Sequence, residues 1–278
     1  MYNNYKQKEM KQLKVFYVIN AILLSGMMFS CGNSSPVDDN NSSSSNGTNN
    51  LSAGQIEMKA YPWDDHTIAF SATTQKITID WGDGNVVDLT PNGVQKSFLH
   101  SYSYYNQNWQ TIKVNTEGMS EFSCYLTDDF PGDIGHAAGY FQELKFGNCS
   151  ELKSINCGGY SDNTLAVLDI SKCTALTNLQ CDANKLTSLD VSKCKALTNL
   201  NCGFNQLTSL DVSKCTALTS LNCFDNGLSV TALNALFNSL PTRRSSDNAR
   251  IDCYNNPGYD ICDMTIAQKK GWTVSGSD

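Results

Sequence analysis

The sequence is poor in the side chains that do most enzymatic chemistry. It carries three histidines, His66, His100 and His136, and they stand in unrelated contexts. No nucleophile motif and no paired-carboxylate motif accompanies them, so the chain is not expected to be an enzyme. Charge is sparse too: charged residues make up 17% of the chain, the formal net charge is −7 and the pI is about 4.9. There is no basic stripe and no nucleic-acid motif, which excludes a nucleic-acid partner. No CxxC pair occurs, so the usual spacing of a zinc site is missing and no metal or cofactor is implied. No apolar run reaches the ~20 residues of an ordinary membrane-spanning helix.

What the chain does have is cysteine, twelve in 278 residues, most of them between Cys149 and Cys262. That is high, but below the density of a small disulfide scaffold. The length allows one or two domains plus an export segment, and 40% hydrophobic residues suit a folded protein with a neutral, polar surface.

The N-terminus reads as an address. Lys6, Lys8, Lys11 and Lys14 precede the apolar core VFYVINAILLSGMMF, Val15 to Phe29, and small Ser30 then precedes Cys31. Length and flanks suit a signal peptide. The order resembles a bacterial lipoprotein signal, which implies a lipid on Cys31, a membrane attachment through that lipid, and residues 1–30 as the removed signal. Met28 and Phe29 depart from the usual Leu-Ala or Leu-Ser, and an ordinary secretory peptide cut near Ser30 is the alternative. Residues 31–52 are rich in Ser and Asn and read as a disordered tether. Asp38-Asp39 resembles the acidic export signals that send some Gram-negative lipoproteins to the cell exterior, so the expected location is the outer membrane, exposed at the surface.

Residues 53–118 have a β pattern. ITID (77–80) and QTIKVN (110–115) alternate apolar and polar positions with β-branched residues. Between them WGDGN predicts a tight turn that needs positive φ, followed by the aromatic-rich strand FLHSYSY. IDWGDG followed by HSY resembles the PKD domain, an immunoglobulin-like β-sandwich. The resemblance implies that Trp81, Asp83, His100 and Tyr102 support that sandwich. A carboxylate–histidine pair or a calcium site at Asp80, Asp83 and Asp88 is the alternative, but no third group orients the histidine and no calcium-loop spacing follows.

From residue 119 to 256 the chain repeats itself. The copies align as LxxLxCxxNxL: Leu176, Leu179, Cys181, Asn184, Leu186; then Leu197, Leu200, Cys202, Asn205, Leu207; then Leu218, Leu221, Cys223, Asn226, Leu228. A degenerate copy at Leu152, Ile155, Cys157 and Leu165 precedes them; FSC (122–124) looks like an earlier strand and IDCYNNPG (251–258) like the last. This is the leucine-rich-repeat pattern, and it predicts a solenoid of about six short parallel strands. One copy cannot bury its apolar face alone, so neighbours must stack. Both Leu and the Cys of LxxLxC should point inward, Leu189 and Val191 should fill the back, and the Asn should bond backbone groups of the next rung.

Cys157, Cys181, Cys202, Cys223 and Cys253 fall in the inward column, and Cys149, Cys173, Cys194 and Cys215 form a second column at the SKC turn. Bridges between parallel neighbours would be strained, so free buried thiols acting as small hydrophobes are expected. Cys253 and Cys262, where the repeat breaks, are the exception to watch. VTALNALFNSLP (230–241) has helical spacing ended by Pro241, and MTIAQKKGWTV adds a short helix and a Trp-containing tail; residues 257–278 form the expected C-terminal helical cap. Between the two helices TRRSSD (242–247) breaks character and matches one reading frame of a common sequencing adapter; Arg243-Arg244 reads as a solvated loop.

The expected architecture is therefore multidomain: a β-sandwich, then a leucine-rich-repeat solenoid, then a helical cap. The whole resembles bacterial surface leucine-rich-repeat lipoproteins, which implies a monomeric adhesin or receptor capturing an extracellular protein or glycan. The outward positions of the rungs supply the candidate concave face: Ser154 and Asn156; Asn178, Gln180 and Asp182; Asn199, Asn201 and Phe204; Ser220, Asn222, Phe224 and Asp225; Asp252 and Tyr254. Amides and aromatic faces suit glycans or protein backbones. The alternatives are that the polar residues merely solvate the sheet, that the aromatics fold over the rung edge, and that the protein is a structural spacer or envelope-assembly protein with no ligand.

Overall fold

Among the described residues the chain forms fifteen strands and two α-helices. The computed structural model describes residues 51–62, 67–102, 108–124, 140–158 and 165–275, all within one unit, Thr48–Asp278. Cys31, the expected signal and tether, His66 and His136 lie outside the described residues.

The first strands are β1 (Gln55–Tyr61), β2 (Thr67–Thr73), β3 (Lys76–Asp80), β4 (Val86–Leu89), β5 (Gln95–Ser101) and β6 (Gln110–Glu117). In β1 and β6 every second residue is buried, Ile56, Met58 and Ala60 against Ile112 and Val114, which is the signature of a sheet with one covered face. The Gly-Asp-Gly turn has the positive φ expected of it, 84° at Gly82 and 93° at Gly84. It does not return into the aromatic-rich segment. It returns into VVDL, with Ile79 opposite Val87, because that segment is the nearest β-branched run; FLHS instead becomes part of β5, paired with β2 in a different sheet.

The repeats supply β7 (Glu121–Ser123), β8 (Tyr140–Phe146), β9 (Ser154–Asn156), β10 (Val167–Asp169), β11 (Asn178–Gln180), β12 (Asn199–Asn201), β13 (Ser220–Asn222), β14 (Arg250–Asp252) and β15 (Thr273–Ser275). β7, β9, β11, β12, β13 and β14 are the six parallel strands the repeat predicts, and β15 adds a seventh after the cap helix. The Trp-containing tail becomes a strand because β14 offers it an unpaired edge, with Val274 beside Ile251.

The ladder does not stop at residue 118. β7 also pairs antiparallel with β2, so one nine-stranded sheet runs β15-β14-β13-β12-β11-β9-β7-β2-β5. The second sheet, of six strands, runs β10-β8-β1-β6-β3-β4. A single core joins them: Phe122 of β7 meets Phe146 of β8 edge to face at 5.3 Å, and Phe70 stacks on Phe122 at 5.6 Å.

Each rung is fixed by the same three devices. The LxxLxC leucines and cysteine are buried, as are Leu186, Leu189 and Val191 at the back; each buried aliphatic side chain contributes about 1.5–3 kcal/mol before entropy. The Asp of LDxS caps its own turn, Asp190 Oδ1 accepting from Ser192 N–H at 2.8 Å and Asp211 Oδ1 from Ser213 N–H at 2.8 Å. The Asn forms a ladder to the preceding rung rather than the next. Asn205 donates to the Cys181 and Cys202 carbonyls at 2.9 and 3.1 Å and accepts from Leu186 N–H at 3.0 Å; Asn226 and Asn256 repeat the pattern. The direction follows from the turn, which carries the amide back over the strand already laid down. Asn184 donates likewise to the Cys157 carbonyl, but its buried Oδ1 finds no partner among the described residues.

Helix α1 (Val230–Ser239) starts at Ser229, whose Oγ accepts from Ala232 N–H at 3.3 Å, and buries Leu233, Leu236 and Phe237. α2 (Thr265–Lys269) is short. The end of α1 is closed by cations and an indole: Lys270 Nζ donates to the Asn238 carbonyl and, at 2.7 Å, to the Leu240 carbonyl, and Trp272 Nε1 to Pro241 O at 2.7 Å. Arg243 is not a solvated loop residue. Its guanidinium donates to Leu218 O at 2.7 Å and Thr216 O at 2.5 Å, while Arg244 stays exposed.

Candidate ligand-binding face of the repeats

The parallel register sets the solvent face of the ladder in rows. Asn178, Asn199, Ser220 and Arg250 stand side by side, as do Gln180, Asn201, Asn222 and Asp252, each row flanking the buried line Leu179, Leu200, Leu221 and Ile251. The repeat spacing predicts these rows. Toward β7 they continue through Ser154 and Asn156 to Glu121 and Ser123. From β9 to β13 both rows are uncharged. Asn178 donates to Ser154 Oγ at 3.2 Å and Asn201 accepts from Gly203 N–H at 3.3 Å. The side chains of Gln180 and Asn222 have no hydrogen-bond partner among the described residues.

Two residues beyond the second row lies a third: Gly158, Asp182, Gly203, Phe224 and Tyr254. Its side chains lean on the preceding rung. A Cβ at Gly158 would stand 2.4 Å from Asp182 Oδ1, and one at Gly203 would stand 2.9 Å from Phe224 Cε1. Phe224 and Tyr254 stack with centroids 4.8 Å apart and planes 8° apart. Phe204 meets Phe224 edge-on at 4.9 Å and 81°. Phe204 does not belong to the strand rows. It occupies the left-handed turn position of its rung, φ 51°, equivalent to Ala183, Asp225 and Asn255, and is 53% exposed.

The structure thus gathers Phe204, Phe224 and Tyr254 into one group and leaves Asp182 apart from it, drawn over Gly158, where burial raises its carboxyl above the usual range. Arg250 and Gly203 belong to the same face and are absent from the sequence expectation. Both were readable by register: Arg250 aligns with Asn178 and Asn199, and Gly203 with Asp182 and Phe224.

The thiols offer no comparable chemistry. All eleven described cysteines are unpaired and all but Cys262 are buried. The inward column gains Cys124 at its start. Burial pushes the Cys157 and Cys202 thiols up to about 12 and that of Cys149 up to about 11, and holds those of Cys181 and Cys223 well above the ordinary value. Such groups stay protonated and unreactive. Burial, with Cys262 nearby, raises the Cys253 thiol at the cap, and both cysteines are likewise unpaired.

In the first strands His100 Nε2 lies 2.7 Å from Asp83 Oδ2, its ring stacks on Trp81 at 5.1 Å, and Tyr102 meets it edge-on at 4.6 Å while donating to Trp81 O at 2.7 Å. Asp83 Oδ1 also accepts from Asn85 N–H at 3.0 Å. These contacts brace the β3–β4 turn against β5. Asp80 accepts from Gly82 N–H and Asp88 from the Thr78 hydroxyl across the β3–β4 pair, so each of the three carboxylates is committed to a partner of its own.

No protein-family model matches this chain, and no curated protein matches it. Among solved structures the chain is similar to the functional domain of InlJ from Listeria monocytogenes, which includes a cysteine ladder, with 31% identity over 44% of this chain and a TM-score of 0.31. The match spans 29% of that chain, less than a third of its length.

Proposed function

We propose that the chain is a cell-envelope lipoprotein of the leucine-rich-repeat surface type, anchored by a lipid on Cys31, that captures an extracellular protein or glycan on the concave face of its repeats. On this reading residues 53–118 are a PKD-like sandwich that carries the array, the protein is a monomer in the outer membrane facing outward, and it is a binder rather than an enzyme. The observation that carries it is the ring group Phe204, Phe224 and Tyr254, exposed or half-buried beside uncharged amide rows rather than folded into the core. A sheet that only needed solvation would not require three rings there.

A glycan and protein array probed with the detergent-solubilised full chain tests the binding role; a chain that serves only as a spacer gives no specific ligand. The anchor is tested separately. In a Gram-negative host the wild-type chain is expected to partition into detergent and Cys31→Ala into the aqueous phase. Equal partitioning of the two overturns the anchor and leaves the binding face untouched.

A further inference from the structure

We propose that Phe204, Phe224 and Tyr254 form the anchoring subsite for one pyranose ring of a neutral glycan, whose chain runs across the rungs along Asn222, Asn201 and Gln180. This rests on the ligand-capture reading above and commits it to one class of ligand.

A pyranose has one face of C–H groups and a rim of hydroxyls. The C–H face packs on an aromatic plane, and the rim needs groups that both donate and accept. In the stack of Phe224 and Tyr254, 4.8 Å apart and 8° from parallel, the face of Tyr254 turned away from Phe224 provides the plane, and ring-on-ring contact fixes its orientation. Phe204, edge-on to Phe224 at 81°, walls one side. The amides of Gln180 and Asn222, unpartnered among the described residues, provide both a donor and an acceptor each.

Two features of the backbone show that the platform is built. Gly203 stands where the neighbouring rungs carry Asp182, Phe224 and Tyr254, and only its missing side chain lets the Phe224 ring lie down, since a Cβ there would come within 2.9 Å of it. Phe204 places the largest side chain of its column at a left-handed φ of 51° that its equivalents fill with Ala183, Asp225 and Asn255. A bulky residue at that conformation is strained, and a functional role accounts for keeping it there.

Charge decides the class. The rows from β9 to β13 hold only Ser, Asn and Gln, so a neutral chain loses nothing along them, and charge enters only at their β14 end with Arg250 and Asp252. The rungs repeat every ~4.8 Å, a length comparable to one sugar unit in an extended chain, so successive sugars meet successive amides. A protein partner would be expected to seek a broader apolar centre than three rings flanked by amides.

Titration calorimetry of the detergent-solubilised full chain against cellohexaose, xylohexaose and mannohexaose, with hexagalacturonate as the charged probe, tests the inference. At least one neutral hexaose is expected to bind, with an affinity indifferent to salt. Phe224→Ala and Tyr254→Ala are expected to weaken it roughly tenfold or more, and Phe224→Tyr to retain it. Gly203→Ala, a positioning change that removes no ring or amide but displaces the Phe224 ring, is expected to weaken binding and to alter the near-ultraviolet circular dichroism of the stack at an unchanged melting temperature. Preference for the charged probe, no binding of any neutral hexaose at millimolar concentration, or neutral binding unmoved by both ring variants overturns it. If instead a protein found by array binds and is lost with Asn201→Ala and Asn222→Ala, the glycan inference fails and the ligand-capture reading stands.

Discussion

At the scale of single residues the cysteines behave as small hydrophobes. Cys202 is fully buried in a column of like side chains, and its Sγ lies 3.3 Å from the Asn222 carbonyl. Cys202→Ala is expected to cost about 1 kcal/mol as a small cavity, and Cys202→Asp several times more, because a carboxylate would be buried without a partner. Urea unfolding of both variants checks this; equal, negligible losses would show that the column is loosely packed. Asp83 gives a pH signature. Burial alone would raise its carboxyl, but the hydrogen bonds from His100 and Asn85 outweigh it and hold the group below the ordinary carboxylate value. A depressed folded pKa contributes stability that is present above the ordinary carboxylate range and lost as pH falls through the folded value. Asp83→Asn is therefore expected to flatten the acid limb of the urea midpoint against pH; an acid limb identical to that of the unmutated chain would assign the loss to other carboxylates.

Among the elements, those with an internal rhythm were legible and those defined by a partner were not. LxxLxC predicts β11, β12 and β13, their register and the burial of both thiol columns, because three copies leave one consistent stacking. VTALNALFNSLP predicts α1. β10 was not legible: Leu168-Asp169-Ile170 is the motif that forms an unpaired turn at Leu189 and Leu210, and it becomes a strand only because β8 lies beside it. The ring group was half legible, since spacing aligns Gly203, Phe224 and Tyr254 but says nothing of how the Phe224 ring uses the room at Gly203 or of the left-handed turn that turns Phe204 out. The asparagine ladder was legible as chemistry and misread in direction. Asn205→Ala leaves the buried Leu186 N–H without its partner, while the Cys181 carbonyl keeps the bond from Asn184. At about 1–3 kcal/mol for an orphaned group, a loss of at least about 1 kcal/mol is expected in urea unfolding, and a loss well below that would show that water replaces the ladder.

For the whole molecule the shared sheets matter most. β7 pairs with β2 and β8 with β1, so the strands before residue 118 close the open end of the ladder as α1, α2 and β15 close the other. Removing residues 53–118 exposes the β7 edge and the core faces of Phe122 and Phe146. The truncated chain is expected to aggregate or to unfold at much lower urea than the full chain, and a soluble fragment of undiminished stability would show that the array is self-sufficient. For the same reason, lost binding on such a deletion would not by itself locate the site. Hydroxyl-radical footprinting does so directly, because it reads side-chain exposure in the intact chain. With the ligand identified by array bound, Phe204, Phe224 and Tyr254 are expected to be protected while exposed Trp109 and Leu99, on the first strands and their loops, are modified as before; protection of Trp109 or Leu99 with the three rings unchanged would contradict a ligand face on the repeats.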